Sequence, residues 1–95
     1  MIPAMERVRR AVVEVPGELP AAVREALLAG EPAPRPLEAY VEKVRRHAYR
    51  VTDAEVEAVV AATSEDAVFE ATVATALGAG LARLEAGLAA IEAAR

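Results

Sequence analysis

The segment RRHAYRVTDAEV, residues 45–56, contains the only histidine of the chain, His47. A histidine can gain and lose a proton near neutral pH, which suits it to general acid–base catalysis. His47 follows Val44 by three residues and Tyr40 by seven, so on a helix all three share a face at the edge of an apolar stripe. A half-buried histidine there could move protons or simply pack, and we favour packing. Without cysteine, a metal site would need carboxylates to complete it, so we predict none.

Basic residues crowd the same segment and could together bind an anion. They are Lys43, Arg45, Arg46 and Arg50. Glu38 and Glu42 lie about one turn earlier, and Glu42 and Arg46 have the i,i+4 spacing that forms ion pairs on a helix. A solvated helix face with ion pairs therefore explains this run better than an anion site does.

Ninety-five residues correspond to one domain, and 55% of them are hydrophobic, chiefly Ala, Val and Leu. A chain of this length buries only about 60–65% of its unfolded surface, so contacts between subunits would strengthen a thin core. The absence of cysteine excludes disulfides, thiol catalysis and thiolate metal sites. The chain also lacks Asn and Gln, which is typical of a thermophile, although GC-rich coding produces the same bias.

The N-terminal third, residues 1–35, contains two predicted short helices. The first covers MERVRRAVVEV, whose apolar residues have helical spacing, although VVEV within it could also be extended. Pro20 and Gly30 suit the beginning and the end of the second. The segment 30–36, GEPAPRP, should be an extended linker because its prolines alternate with other residues.

Residues 37–91 form the predicted helical core. The sequence TDAE, residues 52–55, is a capping box that begins the second of its three helices. Ser64 is the N-cap of the last helix, which should run almost to the C-terminus. The apolar face of the first helix comprises Leu37, Val41, Val44, Ala48 and Val51. The apolar stripe of the last comprises Phe69, Val73, Leu77, Leu81, Leu84, Leu88 and Ile91.

Three glycines, Gly78, Gly80 and Gly87, lie inside the last helix. Each costs about 1 kcal/mol relative to alanine in a helix interior. We therefore predict that another helix approaches closely, from this chain or from another subunit; compensation by the high alanine content is the alternative. The chain as a whole, residues 1–95, is predicted to be one all-α domain of four to five helices that forms oligomers.

Nucleic acids and membranes are both poor partners for this sequence. The last two helices are spaced as in a helix-turn-helix, but the second begins with Glu65 and Asp66, and the net charge is −4, so phosphates would repel it. No stretch reaches the ~20 apolar residues that a bilayer-crossing helix needs. The N-terminal MIPAMERVRR carries charges where a signal peptide is apolar. We therefore predict a cytoplasmic protein with no nucleic-acid or membrane partner.

Residues 37–91 resemble the alkylhydroperoxidase D-like and carboxymuconolactone decarboxylase superfamily. The resemblance is carried by HAYRVTDAEV, the short turn before SEDAVFE, and the long Ala- and Gly-rich helix that follows. Thr63 stands where the turn usually has glycine. The resemblance implies an all-helical fold that assembles into dimers, trimers or hexamers. Its peroxidase members use a C-x-x-C pair with a histidine and a glutamate, and that chemistry cannot operate without cysteine.

Two functional hypotheses follow. The first is a binding or structural module, a homo-oligomer without a cofactor. The second is a cofactor-free acid–base enzyme, of decarboxylase or isomerase type, that acts on a small carboxylate. In it His47 would be the acid–base group, assisted by Tyr49 or Glu70. Arg46 or Arg50 would bind the substrate's carboxylate.

The position of His47 distinguishes these hypotheses. The enzyme requires His47 in a concave pocket near an arginine, whereas the module requires it exposed, or packed without a cavity. A third class, a protein that binds a partner through its N-terminal segment, also remains open.

Overall fold

The computed structural model describes residues 3–95, which are almost entirely helical. No strand occurs among these residues, which confirms the predicted all-α class. A short 3-10 turn, residues 48–50, separates the third and fourth helices. The five α-helices are α1 (Pro3–Glu14), α2 (Ala21–Leu28), α3 (Glu38–His47), α4 (Asp53–Ala62) and α5 (Glu65–Ala93).

The beginnings of α4 and α5 follow the predicted capping signals. The backbone N–H of Glu55 donates to the Thr52 hydroxyl over 3.2 Å, and the Thr52 N–H donates to the Glu55 carboxylate, also over 3.2 Å. This confirms the capping box. At α5, the Ser64 hydroxyl accepts the N–H of Ala67 over 3.0 Å, which confirms the predicted N-cap.

Helix α5 is the central element, because α2, α3 and α4 all pack against it. The side of α5 that faces them, here called the inner face, consists of Ala67, Val68, Ala71, Ala74, Thr75, Gly78 and Leu81, all buried. Most of these side chains are small, so the larger core residues come from the surrounding elements. Those residues are Leu27, Leu28, Leu37, Tyr40 and Val41.

The N-terminal third packs on its own chain through α2. At Gly78 of α5, a Cβ atom would lie 2.8 Å from the Cα of Leu28 and 2.9 Å from its carbonyl carbon. The two backbones therefore approach more closely than any side chain at this position allows. The prediction of close approach is confirmed for Gly78. A Cβ atom placed at Gly80 or at Gly87 would have no neighbouring atom within 4 Å.

Two predicted apolar faces differ from the observed ones. Helix α3 ends at His47, whose φ of −142° and ψ of 53° are not helical, and the 3-10 turn changes the rotational phase, so Ala48 is exposed. The predicted stripe of α5 is mostly outside the core: Leu81 is buried and Leu77 partly so, but the others are exposed. Those exposed members are Phe69, Val73, Leu84, Leu88 and Ile91.

Candidate functional site

His47 lies on the surface at the C-terminal end of α3. Its ring meets that of Tyr49 edge to face, with the centroids 6.1 Å apart. The guanidinium of Arg50 lies 5.6 Å from the centroid of Tyr49. His47 and Arg50 are exposed, and Tyr49 is 80% exposed. The structure thus brings three of the predicted catalytic and binding residues together on an exposed surface.

Arg46, the other predicted carboxylate-binding residue, forms an ion pair with Glu42 one turn earlier. Arg45 also lies near Glu42, with 3.7 Å between the guanidinium and the carboxylate. The basic run is therefore a solvated face with ion pairs, as the spacing predicted. Four grooves found among residues 3–95 are not lined by His47, Arg46 or Arg50, although Arg45 lines one of them and Lys43 another.

Glu70, the remaining predicted catalytic residue, lies on α5 and binds the loop between α1 and α2. Its carboxylate accepts the backbone N–H of Glu18 over 2.8 Å and that of Leu19 over 2.9 Å. A Cβ at Gly17 would lie 2.7 Å from the Glu70 carboxyl carbon, so any other residue there would displace the carboxylate from its hydrogen bonds. No hydrogen bond within residues 3–95 joins Glu70 to His47. Glu70 holds the loop in position, and its catalytic role stays a prediction.

Arg24 is a buried charged side chain that the sequence pattern did not single out, and its contacts are structural. It is only 7% exposed, and its Nη1 donates to the carbonyl oxygens of Val12, over 2.9 Å, and Val15. A cation there satisfies carbonyls left free at the C-terminal end of α1. Its spacing from Leu27 and Leu28, three and four residues, signals the same buried face of α2 and could have identified it.

Three arginines line a groove of about 430 Å³ where α1, α2, α3 and α5 meet: Arg9, Arg45 and Arg83. Arg9 is paired with Glu85, Nη2 to Oε1, at 3.2 Å. Arg45 donates to the carbonyl oxygen of Glu31 over 3.0 Å, in addition to its contact with Glu42. Since carboxylates already neutralise two of the three charges, this groove is a weak anion site.

The α3–α4 corner contains a carboxyl group, that of Glu55, whose pKa is lowered. Lys43 Nζ lies 2.7 Å from Glu55 Oε1. The hydrogen bond from Lys43 is the main cause that lowers the pKa of Glu55 below its ordinary value of 4.5, with partial desolvation opposing it and hydrogen bonds from Thr52 adding to it. The shift therefore reflects the contact between α3 and α4 first and the capping box second, and both roles of Glu55 are structural.

The outward side of α5 carries a continuous exposed band without charge. Spaced three or four residues apart, its members lie on one face of the helix. Phe69 and Ala94 are 25 residues apart, so at 1.5 Å per residue the band is about 38 Å long. This outer stripe consists of Phe69, Val73, Ala76, Gly80, Leu84, Gly87, Ile91 and Ala94, every one of them exposed.

A groove of about 440 Å³ adjoins the N-terminal half of the outer stripe. Val12, Val15 and Pro16 form one wall, at the end of α1, and Phe69 and Val73 form the other. Val15 is 57% exposed and Phe69 is 69% exposed. The stripe and this groove together make an apolar surface of the kind that marks an interaction site.

Helix α5 is also long and apolar enough, by length and composition, to cross a membrane. Its most apolar 18-residue window has a mean hydropathy of 1.3, and 39% of that window is buried in the fold. The expectation that no segment could span a bilayer was therefore too strong for this helix. A core helix of a soluble protein meets the same criterion, so the cytoplasmic localisation stays a prediction.

No group of three or more potential metal ligands occurs within residues 3–95. Comparisons of the chain with protein-family models, with curated proteins and with solved structures found no match. The resemblance to the carboxymuconolactone decarboxylase superfamily therefore stays a prediction that rests on the sequence segments quoted above.

Proposed function

We propose that this protein is a helical module without catalytic activity that self-associates through the outer stripe of α5. The observation that carries the proposal is the stripe itself. It consists of eight exposed positions along one face of the helix, and none of them carries a charged side chain. Isolated apolar residues on a surface are ordinary, but a contiguous apolar band marks a surface that another molecule covers.

The size of the core supports the same proposal. A domain of this length buries a smaller fraction of its unfolded surface than a larger domain does, and the inner face of α5 consists mainly of Ala, Gly and Val. Oligomerisation is the remaining way to bury more apolar area in a chain without disulfides. The suggested superfamily forms helical oligomers, which agrees with this proposal. We propose a cytoplasmic homo-oligomer on these grounds.

Light scattering coupled to size exclusion tests the proposal directly. The protein should elute with a mass of at least two chains. Leu84→Glu places a charge in the stripe and should shift the mass to one chain. Ala86→Glu, at a position of α5 that is also exposed but lies outside the stripe, should leave the mass unchanged.

Three results would overturn the proposal. One is a mass of one chain for the unaltered protein at micromolar concentration. Another is an unchanged mass for Leu84→Glu. The third is a single-chain mass together with co-sedimentation on neutral phosphatidylcholine vesicles, which would assign the stripe to a membrane surface.

The alternative function, an acid–base enzyme for a small carboxylate, is favoured by the contact between His47 and Tyr49 beside Arg50. Because His47 is the only histidine, its imidazole proton signals need no assignment. Addition of acetate, with sodium chloride at equal ionic strength as the control, should leave these signals unchanged if the module proposal is correct. A saturable shift with acetate that Arg46→Ala or Arg50→Ala abolishes would support the enzyme instead.

A further inference from the structure

We infer that two copies of this chain pair their α5 helices antiparallel, about a two-fold axis that passes beside Gly80. This inference rests on the proposed self-association and adds its geometry. A two-fold axis at Gly80 brings together residues that lie equally far from Gly80 along α5, one from each copy. The members of the outer stripe fall into such pairs.

The pairs combine large side chains with small ones. Ala76 and Leu84 are each four residues from Gly80, so the leucine of one copy meets the alanine of the other. Val73 and Gly87 are each seven residues from Gly80, so the valine side chain of one copy meets the glycine of the other. Gly80 meets its own counterpart, where a Cβ is absent on both sides and the helix axes can approach closely. Parallel pairing would instead place Leu84 against Leu84 and leave a gap at Gly87.

The charges at the ends of α5 also favour the antiparallel arrangement. Glu65 and Asp66 begin the helix, and Arg95 follows its last turn. Glu65 and Arg95 are each fifteen residues from Gly80, so antiparallel pairing places the acids of each copy near the arginine of the other. Arg95 also lies 3.6 Å from Glu92 of its own helix, in an exposed pair that neutralises part of its charge. Parallel pairing places acid beside acid, which is unfavourable. The opposed helix dipoles add to the same preference.

The groove beside the stripe can accommodate the last turns of α5 from the second copy. Phe69 and Ile91 are each eleven residues from Gly80, so Ile91 of one copy reaches Phe69 of the other at the edge of this groove. Leu88, exposed and one turn earlier, would come near Val73. The C-terminal turns of α5, which extend past the last buried residue, Leu81, thus cover apolar surface on the second copy.

Cysteine cross-linking distinguishes the two arrangements, and the chain has no native cysteine to interfere. In the antiparallel pair, the two copies of position 84 are eight residues apart along the helix, about 12 Å. A disulfide requires Cα atoms within ~7 Å. Leu84→Cys alone and Ala76→Cys alone should therefore not cross-link, whereas an oxidised mixture of the two variants should. Gly80→Cys should link to itself, and Ala86→Cys, outside the stripe, should not.

The yield of the disulfide between Leu84→Cys and Ala76→Cys should exceed the yield of either self-disulfide by about tenfold or more. A mass tag on one of the two variants distinguishes the mixed product from the self-disulfides. Self-disulfides of Leu84→Cys and Ala76→Cys, in a protein whose mass is still two chains or more, would overturn the antiparallel geometry while leaving the proposed function intact. An absence of any stripe disulfide would also overturn it. A single-chain mass for the unaltered protein would overturn the proposed function itself.

Discussion

The inner face and the outer stripe of α5 are both free of charge, yet one is buried and the other is exposed. The inner face is built largely from small residues, and Ala71, Ala74 and Thr75 have no exposed surface at all. The outer stripe contains larger residues, of which Phe69 and Ile91 are more than half exposed. Burial on this helix therefore follows the space between helices rather than the size of the side chain.

The difference shows how a helix can carry two apolar faces for two purposes. Small residues on the inner face allow α2 to approach within backbone contact at Gly78. The larger residues of the outer stripe keep their apolar area available for a second molecule. A helix that is apolar on nearly all sides is ordinarily enclosed, and self-association would enclose this one.

The sharpest test compares a leucine on each face. Leu81→Ala removes a buried side chain and should lower the free energy of unfolding by about 2–5 kcal/mol. Leu84→Ala, at a position that is 47% exposed, should change the stability of the separated chain little. It should instead reduce the concentration dependence of the melting temperature, because that dependence reports association. If Leu81→Ala and Leu84→Ala lowered the free energy of unfolding equally in dilute solution, the distinction between the inner face and the outer stripe would be wrong.

Two glycines separated by one residue make the next comparison. Gly78→Ala forces a Cβ into the backbone of Leu28 and should lower the free energy of unfolding by about 1–3 kcal/mol. Gly80→Ala meets no neighbour and should raise it by about 1 kcal/mol through helix propensity alone. Urea denaturation of both variants in dilute solution measures the two effects. The two substitutions should change the free energy of unfolding in opposite directions. A change in the same direction would contradict the assignment of Gly78 to the inner face and of Gly80 to the outer stripe.

Thr75 and Thr72 refine the description of the inner face. The Thr75 hydroxyl is buried without a hydrogen-bond partner among the described residues, so Thr75→Val should raise the free energy of unfolding by about 1 kcal/mol. The hydroxyl oxygens of Thr72 and Tyr40 are hydrogen-bonded at 2.6 Å, and the Thr72 hydroxyl also donates to the carbonyl oxygen of Val68. Thr72→Val should lower stability by about 1 kcal/mol. If thermal melts show both variants destabilised, the Thr75 hydroxyl is satisfied after all.

The smallest effect should come from the α3–α4 corner, which is independent of both faces of α5. The pKa of Glu55 is lowered on folding, so its ion pair contributes stability above the ordinary value of 4.5 and loses it as the pH falls through the folded pKa. Glu55→Gln should therefore be less stable than the unaltered protein at pH 7, and the difference should shrink at pH 3. Glu57→Gln, without an ion pair among the described residues, is the control. A difference that persists at pH 3 would contradict this origin.

Local signals in the sequence predicted the helices well. The Thr52–Glu55 box, the Ser64 N-cap and the Pro20 and Gly30 boundaries act within one turn of backbone, so they can be recognised without the fold. The end of α3 at His47 was missed because no proline or glycine marks it. The candidate site was predicted less well, since Glu70 and His47 lie on elements whose relative placement depends on packing.

The amino-acid sequence by itself determined the all-α class, the beginnings of α4 and α5, and the ion-paired character of the face around Arg46, because each depends on neighbours within about four residues. Only the tertiary structure decided which side of α5 is buried, since both sides satisfy the same helical period. The close approach of α2 at Gly78 resolves that ambiguity: backbone contact admits only small residues, and the larger ones are left facing outward.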